Sequence, residues 1–202
     1  PTTATFFPAA RHEYNDGAFT PGSALKILDV GGGGAVSTLL EVPHGVVRDP
    51  EVHFGGRRIV FSMRTNTADS YHIYEINADG SGLRQLTFAQ DVDDLDPLYL
   101  ADGGIIFSST REPKYCMCNR HIMANLYRMD ADGANIHQIG RSTLFEGHPT
   151  VLPDGRLLFI YTRFTGGGAD NAAAVLASRV SADGGLTWSK DDAVVVPNEG
   201  KE

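Results

Sequence analysis

The feature that most limits the possible folds of this 202-residue chain is an internal repeat of about 50 residues. Each of three copies contains, in order, a proline preceded by Asp or His, a β-forming run that ends in Arg, and an Asp-Gly pair. The prolines are spaced by 47 and 52 residues, and so are the arginines. The three sets are Asp49-Pro50, Asp96-Pro97 and His148-Pro149; Arg64, Arg111 and Arg163; and Asp79-Gly80, Asp132-Gly133 and Asp183-Gly184. Features that keep their order over three copies indicate a repeat architecture.

Each copy contains the pattern of four short strands. In the first copy we predict strands A to D at residues 51–54, 57–63, 71–76 and 83–87, separated by glycine-containing turns typical of hairpins. A β-sandwich with evenly spaced turns is the alternative, but it does not explain why the same residues recur. The period instead matches a β-propeller blade, which has four strands. We therefore expect an all-β fold, namely a partial β-propeller of about three and a half four-stranded blades.

The repeat also predicts the boundaries of the blades within a single partial propeller. A half blade at residues 24–42 precedes three blades at residues 46–90, 93–141 and 146–197. Closed propellers contain four to eight blades. We therefore expect the chain to be a fragment, or to be completed by another chain, so that its main partners are other blades or domains of a larger protein. The sequence begins at Pro1, and no signal peptide is visible in it.

The charge of the chain argues against two classes of partner. The formal net charge is −8 and no basic run is present, so we expect neither a nucleic-acid partner nor binding to an anionic membrane surface. No apolar stretch approaches the length of about 18 residues that a membrane helix needs, so no membrane insertion is expected.

The first two full copies resemble a known propeller repeat. Residues 49–140 contain, twice, the succession of Asp-Pro, a short β-run and an Asp-Gly turn that is similar to the TolB-type, WD-like repeat. The stretch from Arg111 to Gly140 also resembles the propeller of proteins related to the hydrazine synthase alpha subunit. This resemblance implies a periplasmic or secreted propeller within a haem-associated protein.

The third copy resembles a different family. Residues 181–188, Ser-Ala-Asp-Gly-Gly-Leu-Thr-Trp, fit the Asp-box of sialidases, and the similarity extends over residues 148–202. The chain is therefore either a mosaic of two propeller types or one family with two forms of the repeat. In the Asp-box, Asp183 is expected to bond turn amides and Trp188 to pack between blades, so we assign the motif a structural role.

One end of the predicted propeller is the better place for function. The loops between strands B and C, at residues 65–70, 112–124 and 165–172, differ in length between copies and lie opposite the Asp-Gly turns. Loops of variable length on a fixed scaffold commonly carry binding residues. The repeat indicates that the three arginines, Arg64, Arg111 and Arg163, occupy one position of the blade at this end of the propeller. They are candidates for binding a carbohydrate or a small anionic ligand, or for a repeated salt bridge, which we favour.

The second of these loops contains a possible metal site. Cys116 and Cys118 are two residues apart, so both thiols can point to one side of an extended segment, and His121 follows. Together with a fourth group such as His148, they are suited to zinc or to a contact with haem, although the Cys-x-x-Cys-His haem motif is absent. The alternative, which we favour slightly, is two buried cysteines beside a surface histidine.

An acidic run precedes the second copy. Asp91, Asp93, Asp94 and Asp96 supply oxygen atoms that suit calcium, but a solvated loop between blades is the interpretation that we favour.

Two functions from different classes remain open. The first is a propeller that acts as an interaction or scaffold domain in an extracytoplasmic protein, with a metal or haem contact at the Cys116 loop. The second is a sialidase-like glycoside hydrolase fragment, for which Arg163 and Asp170 are the candidate catalytic residues although the full catalytic set is not found.

Overall fold

The computed structural model describes residues 20–115, 122–141, 146–164 and 174–190. These residues form thirteen strands and no helix, so no helix in the described part of the chain is available to span a membrane. The strands are β1 (Ser23–Asp29), β2 (Ala35–Val42), β3 (Val46–Val52), β4 (Arg58–Arg64), β5 (His72–Asn77), β6 (Arg84–Gln85), β7 (Asp94–Tyr99), β8 (Ile105–Tyr115), β9 (Ile122–Met129), β10 (His137–Gln138), β11 (Glu146–Val151), β12 (Leu157–Phe164) and β13 (Ala174–Ser181).

The strands form four antiparallel sheets that follow one another along the chain. A two-stranded sheet, β1-β2, is followed by two four-stranded sheets, β3-β4-β5-β6 and β7-β8-β9-β10, and by a three-stranded sheet, β11-β12-β13. The first strand of each later sheet packs against the first strand of its neighbour, β3 against β7 and β7 against β11. These inner strands therefore lie around a common axis, and the structure confirms the all-β, partial-propeller fold. We refer to the four sheets as the half blade and blades 1 to 3.

The inner strand of blade 1 begins earlier than the sequence indicates. We predicted strand A at residues 51–54, whereas β3 runs from Val46 to Val52 and contains Asp49-Pro50. A proline usually ends a strand because it lacks a backbone N–H group. Here a break in the pairing register between Arg48 and Glu51 accommodates the proline, so the strand continues through it.

Apolar side chains between neighbouring sheets form the core. Phe61, Phe107 and Phe159 occupy matching places on the second strand of blades 1 to 3, and all three are fully buried. Phe61 packs with residues of the half blade, Phe107 with residues of blade 1, and Phe159 with residues of blade 2. Each blade therefore buries one face against the preceding sheet, as expected for apolar faces that exclude water.

A buried carboxylate links blade 1 to blade 2. Glu75 on β5 accepts hydrogen bonds from Arg58 at 3.0 Å and from Arg84 at 2.7 and 2.9 Å within its own blade. It also accepts a bond of 2.8 Å from the hydroxyl of Tyr99 on β7. Arg128, at the matching place on β9, carries the opposite charge but again crosses to the next blade, where it donates to the carbonyl oxygen of Gly184.

In the turn that leaves the third strand of each blade, an aspartate accepts a hydrogen bond from a backbone N–H further along the chain. Asp79 and Asp132 each accept a hydrogen bond from the backbone N–H two residues ahead, at 2.9 and 3.0 Å. In blade 3, Asp183 accepts from both the N–H and the hydroxyl of Thr187, and these bonds hold its pKa at about 2. The indole N–H of Trp188 donates to the Ile139 carbonyl oxygen of blade 2 at 3.0 Å. Asp183 and Trp188 thus have structural contacts in this turn.

Replacing Glu75 with Ala tests the link between blades. We expect Glu75→Ala to lower the free energy of unfolding by about 2 kcal/mol, because the Tyr99 hydroxyl and two guanidinium groups lose a shared buried acceptor. Asp154→Ala is the control, since Asp154 pairs with Arg156 where both side chains are half exposed, and its effect should stay within about 0.5 kcal/mol. Urea unfolding measures both; equal effects would contradict the assigned role of Glu75.

Candidate functional site

The recurring proline lies in a β-bulge on the inner strand of every full blade. The residues before the prolines, Asp49, Asp96 and His148, have positive φ values of 52°, 56° and 51°. At each of these places the pairing with the second strand shifts, between Arg48 and Glu51, Leu95 and Leu98, and Gly147 and Thr150. One extra residue is therefore inserted at the same point of three successive blades.

The residue types at the bulge follow from its backbone conformation. Asp and His belong to the few residue types, besides glycine, that are enriched at positive φ, whereas β-branched residues are strongly disfavoured there. The proline that follows is tolerated because a bulge leaves backbone groups out of the ladder, so its missing N–H is not needed. The change from Asp to His in the third copy therefore keeps the conformation of the bulge.

The three bulges bring polar side chains together near the axis. The backbone N–H of His148 donates to Oδ2 of Asp96 at 3.2 Å, and Nδ1 of the same histidine lies 3.5 Å from that oxygen. Arg48 donates through Nε to Oδ2 of Asp49 at 2.7 Å. We call these four residues, Arg48, Asp49, Asp96 and His148, the axial cluster. It contains one residue from each bulge and a single guanidinium, and it joins blades 2 and 3 directly.

Burial changes the acid–base properties of the axial cluster. Burial, together with the nearby carboxylate of Asp49, raises the pKa of Asp96 well above that of an exposed aspartate. Burial lowers the pKa of His148. Both shifts favour the neutral form of the group, because a charge loses hydration when it is buried.

Two further aspartates of the acidic run lie in the seam between blades 1 and 2. Asp93 Oδ1 accepts a hydrogen bond of 2.8 Å from the backbone N–H of Tyr71, and Asp94 pairs with Arg111 at 2.8 Å. Burial raises the pKa of Asp93 to about 7. The interpretation of this run as a solvated loop is wrong for Asp93 and Asp94, which are buried. Asp93 satisfies a backbone N–H of the neighbouring blade, and Asp94 binds the Arg111 guanidinium.

Two of the three predicted arginines form hydrogen bonds with groups of the protein itself. Arg64 is buried, donates to the carbonyl oxygens of Asn66 and Thr67, and lies 5.2 Å from the ring centre of Tyr71. Arg111 pairs with Asp94 and keeps a fifth of its side chain exposed. Arg163 lies on β12, but its side chain is outside the described part. Ligand binding by the three arginines stays a prediction.

The arginines do not share one position of the blade. The residues that face the start of the bulge across the sheet are Ser62, Ser108 and Ile160. Arg111 and Arg163 follow these by three residues, whereas Arg64 follows by two. The expectation of a single repeated position is therefore wrong for Arg64. Successive side chains of a strand point to opposite faces, so this shift of one residue explains its different contacts.

The Cys/His loop of blade 2 lies outside the described residues. This applies to Cys116, Cys118 and His121, and also to Asp170 of the third loop. His148, the suggested fourth ligand, lies against Asp96 in the axial cluster. Within the described ranges, no three His, Cys, Asp or Glu side chains are grouped so that they can hold a metal ion. The zinc or haem contact stays a prediction.

The axial cluster itself was not predicted as a unit. Its members were visible only as the residues before the repeated prolines, and Arg48 does not recur in the other copies. The available signal was the restriction of that place to Asp and His, which are residue types that tolerate positive φ.

Comparison with known proteins supports the fold. No protein-family model and no curated protein matches the chain. Among solved structures, hydrazine synthase from Kuenenia stuttgartiensis matches with a TM-score of 0.70 and 19% sequence identity. TolB from Acinetobacter baumannii matches with a TM-score of 0.56 and 16% identity. A putative TolB from Agrobacterium tumefaciens matches with a TM-score of 0.57 and 14% identity.

The matches cover most of this chain but only part of each neighbour. They include 90%, 78% and 82% of this chain and 29%, 34% and 59% of the respective neighbours. At these levels of identity the likeness establishes a propeller-type fold related in shape to those of TolB and hydrazine synthase.

Substitutions at Asp49 test the bulge. We expect Asp49→Val to be less stable than Asp49→Asn by about 2 kcal/mol, because Asn tolerates positive φ and a β-branched residue does not. In an ordinary strand the order would be reversed, since valine favours strands and asparagine does not. Urea unfolding of the two variants decides between these orders; a valine variant as stable as the asparagine variant would contradict a left-handed residue at this place.

Proposed function

We propose that this chain is a module of a larger β-propeller that serves as an interaction scaffold in an extracytoplasmic protein. The propeller fold itself is supported by the four successive sheets and by the solved neighbours. The surface that we assign to binding is the end of the propeller that carries the loops between the second and third strands, next to the axial cluster.

The main support for this proposal is the incomplete pairing of the first sheet, β1-β2. In blades 1 and 2 the third strands, β5 and β9, each pair with a strand on both sides. In the described part of the chain, β1 pairs with β2 alone. Because an unpaired strand edge presents free N–H and C=O groups, it readily accepts another strand. Strands that complete the half blade, from elsewhere in a larger protein or from a second chain, are therefore the partners that this edge suits best.

The cellular location in this proposal rests on the resemblance of the repeat. The sequence of the first two copies resembles TolB-type propellers and relatives of the hydrazine synthase alpha subunit, which implies a periplasmic or secreted protein. The solved neighbours support the likeness in fold to proteins with those names.

The ligand that suits the binding end is a carbohydrate or a small anionic molecule. Arg111 is the described arginine best placed to receive it, because a fifth of its side chain remains exposed while Asp94 holds it in position. A carboxylate or phosphate group is suited to a guanidinium of this kind. The hydrolase alternative depends on Arg163 and Asp170, and the Asp-box does not favour it, because Asp183 is engaged within its own turn.

The proposed completion by further blades is tested by extending the chain. We expect the 202-residue chain to self-associate as its concentration rises, because the open sheet edges pair between copies. A version extended by its flanking coding sequence should remain monomeric and unfold cooperatively at a higher temperature. Sedimentation and thermal unfolding of both versions measure this. A monodisperse 21.7 kDa monomer that unfolds cooperatively on its own would contradict the proposal.

The predicted metal site has a direct test. If Cys116, Cys118 and His121 bind zinc, elemental analysis of the purified protein should find about one zinc per chain, because structural zinc binds thiolate and imidazole tightly. Replacing Cys116 and Cys118 with Ser should remove it, whereas His44→Asn, outside the loop, should not. Zinc, iron and copper at background levels in the unmodified protein would eliminate the site.

A further inference from the structure

One place on the inner strand is buried in blade 2 but exposed in blade 1. Val52 in blade 1, Tyr99 in blade 2 and Val151 in blade 3 each pair with an apolar residue of the second strand that packs against the preceding sheet. Those partners are Ile59, Ile105 and Leu157. Paired residues share a face of the sheet, so all three side chains point toward the preceding sheet. Tyr99 is only 2% exposed and Val151 is partly buried, whereas Val52 is 55% exposed.

The first hairpin of the preceding blade covers this place in blades 2 and 3. The ring of His53, just after β3, lies 4.8 Å from the ring of Tyr99, and Val60 of β4 packs in the same apolar cluster as Tyr99. Val151 packs against a cluster that contains Ile106 of β8. In both blades, part of the cover is therefore a β-branched apolar residue on the second strand of the preceding blade.

The half blade contains the last two strands of a blade but, among the described residues, not the first two. β2 leads into β3 as β6 leads into β7, and β1 contacts β3 as β5 contacts β7. Ser23 Oγ accepts a hydrogen bond of 2.6 Å from the Val47 N–H, and the Tyr71 carbonyl oxygen accepts one of 2.8 Å from the Asp94 N–H. β1 therefore takes the place of a third strand, and the place of the first hairpin lies between β1 and the axis.

Two further apolar side chains border the place of this hairpin. Ile27 lies two residues after the buried Leu25 on β1, so it shares the face that points toward blade 1. It is 36% exposed, and Phe54, just beyond β3, is 63% exposed. We call Ile27, Val52 and Phe54 the inner patch. Grouped exposed apolar residues mark surfaces that bind another part of a protein.

We propose that a β-hairpin from the remainder of the larger protein docks here, with one strand paired to the edge of β1 opposite β2 and an apolar face over the inner patch. This inference rests on the proposed function and specifies the partner as the first two strands of the incomplete blade. The strand beside β1 carries a β-branched apolar residue facing Val52, as Val60 and Ile106 do in the complete blades. Burial of the patch and pairing of the strand edge drive the docking.

Thiol labelling measures whether the inner patch is covered. Val52→Cys is introduced into the 202-residue chain and into the version extended by its flanking coding sequence. Alkylation by iodoacetamide is followed by mass spectrometry of peptides, which separates the introduced thiol from Cys116 and Cys118. At concentrations where the shorter chain is monomeric, we expect labelling to be at least about tenfold slower in the extended version, because it then requires local opening of the blade.

Leu186→Cys is the matched control for this labelling. Leu186 is 76% exposed in the turn after β13. Asn135, at the matching place of blade 2, stays exposed although blade 3 follows it. A thiol at position 186 should therefore react at the same rate in both versions.

The outcomes separate this inference from the proposed function. Equal labelling of Val52→Cys in both versions, while the extended version is monomeric and more stable, would overturn the docked hairpin and leave the proposed function standing. An extended version that self-associates like the shorter chain would contradict the proposed function and this inference with it. Slower labelling that depends on the concentration of the extended version would assign the patch to a second copy and overturn the proposal.

Hydrogen exchange of the β1 amides gives a second readout if Val52→Cys fails to fold. Neighbouring amides of an antiparallel strand point to opposite edges, so about half of the β1 amides point away from β2. In the unmodified chains, these amides should exchange at least about tenfold more slowly in the extended version. Unchanged exchange along β1 would overturn the proposal.

Discussion

The arrangement of the axial cluster depends on one backbone conformation that is repeated three times. A left-handed residue followed by proline inserts an extra position into the inner strand of each blade, and the strand continues beyond it. Without this bulge, the proline would end the strand and the inner edge of each sheet would be lost. The bulge also turns the side chains of Asp49, Asp96 and His148 so that they meet near the axis. The same feature therefore shapes the blade and creates the polar cluster.

The joints between blades combine apolar packing with a few buried polar links. Phe61, Phe107 and Phe159 supply the repeated apolar part, whereas the polar part varies from joint to joint. Glu75 and Arg128 occupy the same position on the third strands of blades 1 and 2. Glu75 accepts a hydrogen bond from the next blade, whereas Arg128 donates one to the next blade. In these two blades the side chain reaches the neighbouring blade although the charges are opposite. This explains how the repeat tolerates such different residues without a change in its architecture.

Much of the fold was predictable because the repeat consists of residues with strong conformational preferences. Asp-Gly pairs define turns, and alternation of apolar residues defines strands, so the number of blades followed from the sequence. The start of the inner strand was missed because Asp49-Pro50 has the usual appearance of a strand end. Burial of Asp93 was missed because its backbone partner belongs to the neighbouring blade, and burial of Asp94 was missed because its partner Arg111 lies on the next strand. The offset of one residue between Arg64 and Arg111 could not be predicted without the pairing register, which depends on the position of the bulge.

The φ angles of Asp49, Asp96 and His148 in solution show most directly whether the inner strands contain these bulges. Isotope-labelled protein and the intraresidue coupling and NOE between the amide and α protons distinguish positive from negative φ. We expect positive φ at all three residues, as in the structure. Negative φ at these residues, with extended backbone through each proline, would contradict both the bulge and the axial cluster that depends on it.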